Sequence, residues 1–214
     1  MRKPRAVAIL GVIALLLSSC GDGDDEVIPT FVAQTLSDQV ADGDIAFSAD
    51  PEPDGTYTIS QANATDNVLF GVDADGTEFR AFLDFPLDGS NGGDAIPLGA
   101  VILSADIEVF VNGVALVSTA PTLLDLVPFP RNGLTRTDFD SDPIVSRSPF
   151  DFLRSDINAF VLIDVTPLMA EAQSRGQLDL QVRFLLDFGA SSGLVEIYDG
   201  DAFSKAPLLT VEYQ

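Results

Sequence analysis

Apolar residues recur at every second position through most of this chain, and this period constrains the fold more than any other feature. In Leu178–Leu186, apolar side chains alternate with an aspartate, a glutamine and an arginine. The same period appears in Glu78–Phe85 and in Leu209–Tyr213. Successive side chains of a β-strand point to opposite faces, so this alternation predicts strands that each bury one face.

The turn residues predict how these strands are joined. Asn112-Gly113 separates two apolar runs, and an Asn-Gly pair in this setting predicts a hairpin with a two-residue turn. Residues 138–149 (DFDSDPIVSRSP) are polar and are predicted to form a long loop. Many short strands with Gly, Asp, Asn and Pro between them predict an antiparallel, jelly-roll-like β-sandwich in a single domain, residues 31–214.

One short helix is predicted between two of the strands. Thr166 is a suitable N-cap, Pro167 suits the first turn, residues 168–175 are mostly helix formers, and Gly176 can end the helix. We therefore expect an all-β fold with one short helix.

The N-terminus has the features of an export signal. A positive stretch of Arg2, Lys3 and Arg5 precedes Ala6–Leu17, which is apolar but too short to span a bilayer. The residues Leu-Ser-Ser-Cys that end at Cys20 resemble the lipobox of bacterial lipoproteins, in which the cysteine is lipidated. We predict a signal peptide at 1–19 and an acidic tether at 20–30.

That resemblance implies a cellular location. Acylated Cys20 would anchor the domain stably in a membrane, because two or more acyl chains bind a bilayer stably, whereas a single chain binds it only marginally. Glycine at position 21 resembles the class of lipoproteins sorted to the outer membrane. The expected location is the bacterial cell envelope, at the outer membrane.

Charge narrows the range of partners. The chain has 11 Lys and Arg against 33 Asp and Glu, a net charge of -22, and removal of the signal makes it more negative. We therefore expect no nucleic-acid partner. With one cysteine, the chain cannot form an internal disulfide.

Several segments in order resemble one known family. They are Asn67–Val72, Phe79–Phe85, Ile96–Ala105, Leu162–Pro167 and Pro207–Tyr213. In this succession they resemble the DNRLRE-type domains, β-sandwiches similar to carbohydrate-binding modules of exported bacterial proteins. The resemblance spans roughly residues 40 to 214 and implies an extracellular module, since some relatives bind polysaccharides such as alginate and others have no known ligand. We expect a non-catalytic envelope module that binds a glycan or a protein partner. The resemblance supplies no binding motif that can be carried onto this chain.

The residues themselves offer four candidates for ligand contact. Sugar-binding faces usually expose aromatic rings, and the chain has no Trp, which leaves Tyr57 and Tyr198, since Tyr213 is in phase with core residues. Arg80 and Arg183 lie on the polar phase of their strands and could contact a carboxylate. The competing interpretation is that both arginines pair with acids on a solvated sheet face.

One motif suggests an enzyme instead. Asp73–Thr77 (DADGT) matches the DxDGT signature of haloacid-dehalogenase-type phosphatases, in which the first aspartate is the nucleophile and the second a general acid. That chemistry requires a parallel α/β sheet and a downstream lysine, whereas the alternation here continues as a strand. We interpret the motif as a turn in which Gly76 takes a positive φ and an aspartate caps the backbone.

The remaining chemistry is limited by composition. The chain has no histidine, so serine-histidine triads and histidine-ligated zinc sites are excluded. We expect no required cofactor, and calcium is the metal that abundant oxygen ligands favour. The candidate calcium ligands form three clusters: Asp42, Asp44 and Asp50; Asp138, Asp140 and Asp142; Asp199 and Asp201.

Overall fold

A computed structural model describes residues 28–50, 54–61, 66–200 and 204–214. The predicted signal peptide, Cys20, most of the predicted tether and Asp201 lie outside these residues. The strands are β1 (Phe31–Leu36), β2 (Gly43–Ser48), β3 (Thr56–Gln61), β4 (Asn67–Val72), β5 (Glu78–Pro86), β6 (Ile102–Ala115), β7 (Thr119–Leu126), β8 (Val145–Leu153), β9 (Ala159–Asp164), β10 (Asp179–Leu186), β11 (Gly193–Tyr198) and β12 (Leu208–Tyr213). The helices are α1 (Arg136–Phe139) and α2 (Thr166–Ser174), and a 3-10 turn spans Arg154–Asp156.

Every strand pairing among the described residues is antiparallel. The strands β9, β6, β12 and β1 form one wing, and β3, β2, β5, β10, β7 and β8 form the other. β11 and β4 connect the wings, because β11 pairs with β6 and β4 pairs with β5. The predicted sandwich-like all-β fold is confirmed, and its jelly-roll topology stays a prediction.

The main core lies between the wings and confirms the two-residue period. On β10, Leu180, Val182 and Phe184 are buried in this core, while Leu178 lies before the strand and is exposed. Phe70 on β4 packs against the rings of Phe184 and, from β8, Phe152, at centroid distances of 5.5 and 5.6 Å.

A second apolar cluster covers the opposite face of β2, β5 and β10. The segment 127–144, which we call the strap, contributes Val127, Phe129, Leu134 and Phe139 to this cluster. The polar side chains of β5 and β10 therefore lie beneath the strap. The interpretation that Arg80 and Arg183 lie on a solvated face was wrong, because the strap's aromatic and aliphatic side chains exclude water there.

The predicted hairpin turn at Asn112-Gly113 is also wrong. β6 continues through both residues, and the pairing with β11 shifts register between Glu196 and Ile197, which makes this point a β-bulge. The chain turns only after β6, where Leu116 has a φ of 69°. An Asn-Gly pair suits a bulge as well as a turn, since both distort the regular backbone of a strand.

Residues 138–149 do not form one loop. Asp138 and Phe139 belong to α1, and β8 begins at Val145 and pairs with β7. The prediction failed because this strand carries too many polar residues to show a strand period.

The predicted helix is confirmed as α2, with a different cap. Val165 is the N-cap, and the hydroxyl of Thr166 accepts the N–H of Ala105 on β6 at 3.0 Å. The helix ends as predicted at Gly176, whose φ is 65°. The N–H of Gln177 donates to the carbonyl of Ala172, which completes a Schellman motif. None of the helices in the described ranges has the length and apolar character needed to cross a membrane.

Candidate ligand-binding face

Both candidate arginines are buried and hold the strap against the sheet. Arg183 Nη2 lies 2.7 Å from Asp125 Oδ2, and its Nη1 donates to strap carbonyls, including that of Phe139 at 2.8 Å. Arg80 pairs with Glu78 at 2.8 Å and Asp140 at 3.0 Å, and its guanidinium stacks 3.9 Å from the Phe139 ring centroid. The predicted pairing with acidic side chains is confirmed, and these contacts direct both guanidinium groups into the protein.

Tyr57 lies in the same covered region. Its ring centroid is 4.8 Å from that of Phe47 and 5.6 Å from that of Phe139. The ring therefore packs against the cluster under the strap, which gives the tyrosine a structural contact in place of an open sugar-binding surface.

The aspartates predicted to bind calcium have separate surroundings. Asp44 accepts the N–H of Leu69, Asp138 accepts that of Thr135, and Asp140 pairs with Arg80. Asp50 and Asp142 are exposed. Within the described part of the chain, no group of three or more acidic or cysteine side chains is arranged to hold a metal ion.

The fold instead brings together two aspartates from different predicted clusters. Asp42, which precedes β2, lies beside Asp199 at the end of β11, and both carboxyl groups are buried. Burial raises the pKa of Asp199 to about 7. Burial, followed by repulsion from Asp199, raises the pKa of Asp42 well above its usual range. Asp42 Oδ1 accepts the N–H of Asp84 at 2.6 Å, so the pair joins β11 to β5. Two such groups share a proton at neutral pH.

An aromatic surface lies on the outward face of the β9–β6–β11 region, where Phe160 is exposed and Phe110, covered by Lys205, is only 7% exposed. Phe110 on β6 and Phe160 on β9 are cross-strand partners, and their ring centroids are 5.1 Å apart in an edge-to-face arrangement. Phe160 is 47% exposed, and Leu162, two residues further along β9, is 65% exposed. Their neighbours Val161 and Ile163 point to the core, which places the phenylalanine on the outer face.

Lys205 extends this surface toward Tyr198. Its Nζ lies 4.0 Å from the Phe110 ring centroid and 5.6 Å from that of Tyr198. We call Phe160, Phe110, Lys205 and Tyr198 the aromatic row. Lys205 forms no ion pair with any carboxylate among the described residues, although the chain has 33 acidic residues.

Polar groups border the aromatic row. Asn67 is the cross-strand partner of Tyr198, and its side-chain oxygen accepts a hydrogen bond from the amide of Asn112. Along β6, the side chain of Glu108 shares the outward phase of Phe110 and lies opposite Leu162. The face therefore combines ring surfaces, an ammonium group, amides and a carboxylate.

The DxDGT segment is the loop of the β4–β5 hairpin. Asp73 Oδ1 accepts the N–H groups of Asp75 and Thr77, each at 2.9 Å, and Gly76 has a φ of 83°. The predicted turn geometry is confirmed. Both flanking strands are antiparallel, in contrast with the parallel sheet that carries this motif in phosphatases.

Sequence reasoning found Tyr198 but missed Phe110, Phe160 and Lys205. The signal was present, because Phe110 and Phe160 fall out of phase with the core residues that flank them. It was overlooked because most phenylalanines of the chain do alternate inward. Nothing in the sequence places Lys205 beside these rings, since the contact depends on tertiary structure.

The comparisons with known proteins are negative. No family model matches the sequence, and a search of curated proteins found no match. The resemblance to DNRLRE-type domains stays a prediction.

Proposed function

We propose that this protein is a non-catalytic, lipid-anchored module of the bacterial outer membrane that binds glycan through the aromatic row. The supporting observation is Lys205, a cation that lies over two aromatic rings without a carboxylate partner among the described residues. Anchoring rests on the lipobox that ends at Cys20, and the sandwich-like fold agrees with the resemblance to carbohydrate-binding modules.

The chemistry of the row suits a sugar. The exposed ring of Phe160 offers an apolar surface to the C–H face of a pyranose, and Lys205 and Asn112 offer donors to its hydroxyl groups. Phe160 and Asn112 lie on strands, so these two groups require little ordering on binding.

The charge of the domain favours an uncharged glycan. A net charge of -22 repels a polyanion such as alginate, and calcium bridging would be needed to bring the two together. We therefore propose a neutral polysaccharide as the ligand, and binding that does not require calcium.

A binding screen with matched phenylalanine variants tests this function. We expect the full chain in detergent to bind one neutral polysaccharide from a panel of β-glucan, starch, xylan and alginate, equally with calcium and with chelator. Phe160→Ala should weaken binding about fivefold, since aromatic contact contributes about 1 kcal/mol. Phe188→Ala is the control, because Phe188 is 81% exposed but lies outside the row.

Two results would contradict the proposal. Equal binding by the Phe160 and Phe188 variants would place the sugar elsewhere on the protein. Absence of binding to the whole panel would favour the alternative of a protein partner, to be sought by pull-down from membranes.

The hydrolase interpretation gives a separate prediction. We expect no hydrolysis of p-nitrophenyl phosphate in the presence of magnesium, by either the unmodified chain or Asp73→Asn. The variant should also melt within about 2 °C of the unmodified chain, because asparagine keeps the Oδ1 acceptor of the turn. Phosphatase activity in the unmodified chain that is absent from Asp73→Asn would support the enzyme hypothesis and contradict this prediction.

A further inference from the structure

One end of the sandwich exposes a group of large apolar side chains. This apolar end consists of Ile28, Phe31, Val32, Leu98, Val101 and Leu103, each between 42% and 63% exposed. Apolar side chains exposed singly are ordinary, whereas a contiguous group indicates a surface that meets another apolar phase.

Backbone pairing brings these residues to the same end. Phe31 opens β1 and pairs with Tyr213, near the end of β12, and their rings stack at 5.7 Å. Tyr213 in turn pairs with Ile102 at the start of β6. Val101 and Gln214 exchange two backbone hydrogen bonds of 2.9 and 3.0 Å. The entry of the chain into the domain and the first residues of β6 therefore lie side by side.

The position of Cys20 identifies what this end meets. The segment 21–27 separates Cys20 from Ile28, and a stretch of about seven residues spans at most about 25 Å. Acyl chains on Cys20 would hold the apolar end within that distance of the bilayer. At such a high local concentration, a contact too weak to bind membranes by itself becomes populated.

We propose that the apolar end rests on the lipid bilayer in which Cys20 is anchored. This inference rests on the lipid anchoring in the proposed function. Glu212 lies beside Val32 across the strand pair, and the whole domain is acidic, so anionic lipid would be repelled. The bilayer that the apolar end contacts is therefore zwitterionic.

This orientation directs the aromatic row away from the membrane. Phe110 follows Val101 by about nine residues along β6, and a strand rises about 3.3 Å per residue. The row would stand about 30 Å along the strand from the docked end, where an envelope glycan can reach it. The docked end and the binding face therefore occupy separate parts of the domain.

The absence of tryptophan makes the orientation measurable. Val101→Trp introduces one fluorophore at the apolar end, and Phe188→Trp introduces one at a similarly exposed site. Phe188 lies at the opposite end, because the turn that contains it leads into β11, where Leu194 pairs with Ala115 at the end of β6. Each full chain, expressed in bacteria and purified in detergent, is reconstituted into phosphatidylcholine vesicles with or without bromine on the acyl chains.

We expect brominated lipid to quench the Val101→Trp emission at least twofold and to leave Phe188→Trp unchanged. Leu98→Trp is a second reporter in case Val101→Trp fails to fold. If the protein floats with the vesicles but neither apolar-end reporter is quenched, docking is overturned while anchoring stands. If the protein does not float with the vesicles, both the docking and the anchoring are overturned.

Discussion

Replacement of Arg183 by alanine is expected to lower the free energy of unfolding by about 3–5 kcal/mol, a large fraction of the stability of a single domain. The guanidinium group is buried and lies 2.7 Å from Asp125. It also donates to the strap carbonyls of Asp138, Phe139 and Ser141. Alanine would leave a buried carboxylate and several carbonyl groups without these donors.

The loss of stability in Arg183→Ala should affect the whole strap. Arg80 also donates to the carbonyl of Phe139, so the two arginines hold the same turn of chain. Without Arg183, we expect the strap to open first and to expose the cluster that contains Phe82 and Phe129. Amide hydrogen exchange should then increase in residues 127–144 before it increases in the main core.

Arg175→Ala is the matched control for this prediction. Arg175 forms an ion pair with Glu171 at 2.6 Å on the surface of α2, and such exposed pairs contribute at most about 1 kcal/mol. Urea unfolding of both variants measures the difference. Equal midpoints would show that the strap does not depend on Arg183.

The main core could be predicted from sequence because its strands carry a strict alternation, as in β10. The strap could not, since its apolar residues Phe129, Leu134 and Phe139 recur at every fifth position among proline, glycine and polar residues, and this spacing matches neither a strand nor a helix. Periodicity thus placed Arg183 on the correct face but gave no information about what covers that face.

In the candidate site too, some features could be predicted from the sequence and others could not. The outward phase of Phe110 and Phe160 is readable from their strands, while the contact of Lys205 with Phe110 depends on how the chain returns to the sheet. Acidic residues were grouped by closeness in sequence, and the fold joined Asp42 to a partner far along the chain instead. Local spacing therefore predicts single elements better than side-chain clusters built from several elements.

The buried pair of Asp42 and Asp199 is expected to have a second large effect, which is to make the stability of the protein depend on pH. The pKa of Asp199 is about 7 in the folded protein against an ordinary value of 3.8, and burial also raises that of Asp42. The unfolded chain would release these protons at lower pH than the folded chain. Stability from the pair is therefore complete below about pH 4 and is lost as the pH rises toward about 7 and beyond.

Asp42→Asn should remove much of this dependence. Asparagine has the shape of the protonated acid, so its oxygen can still accept the N–H of Asp84 and its amide can donate to Asp199. We expect the variant to be more stable than the unmodified chain at pH 8 by about 1–2 kcal/mol.

Thermal melts from pH 5 to pH 8 measure both effects. The unmodified chain should melt at progressively lower temperature as the pH rises, and Asp42→Asn should show a smaller decrease. A residual slope is expected, because burial also raises the pKa of Asp44 and of Asp84 to about 6. Asp50→Asn is the control, since it removes the same charge from an exposed position. If both variants shifted the melts equally, the cause would be net charge alone, and the burial of Asp42 beside Asp199 would not explain the pH dependence.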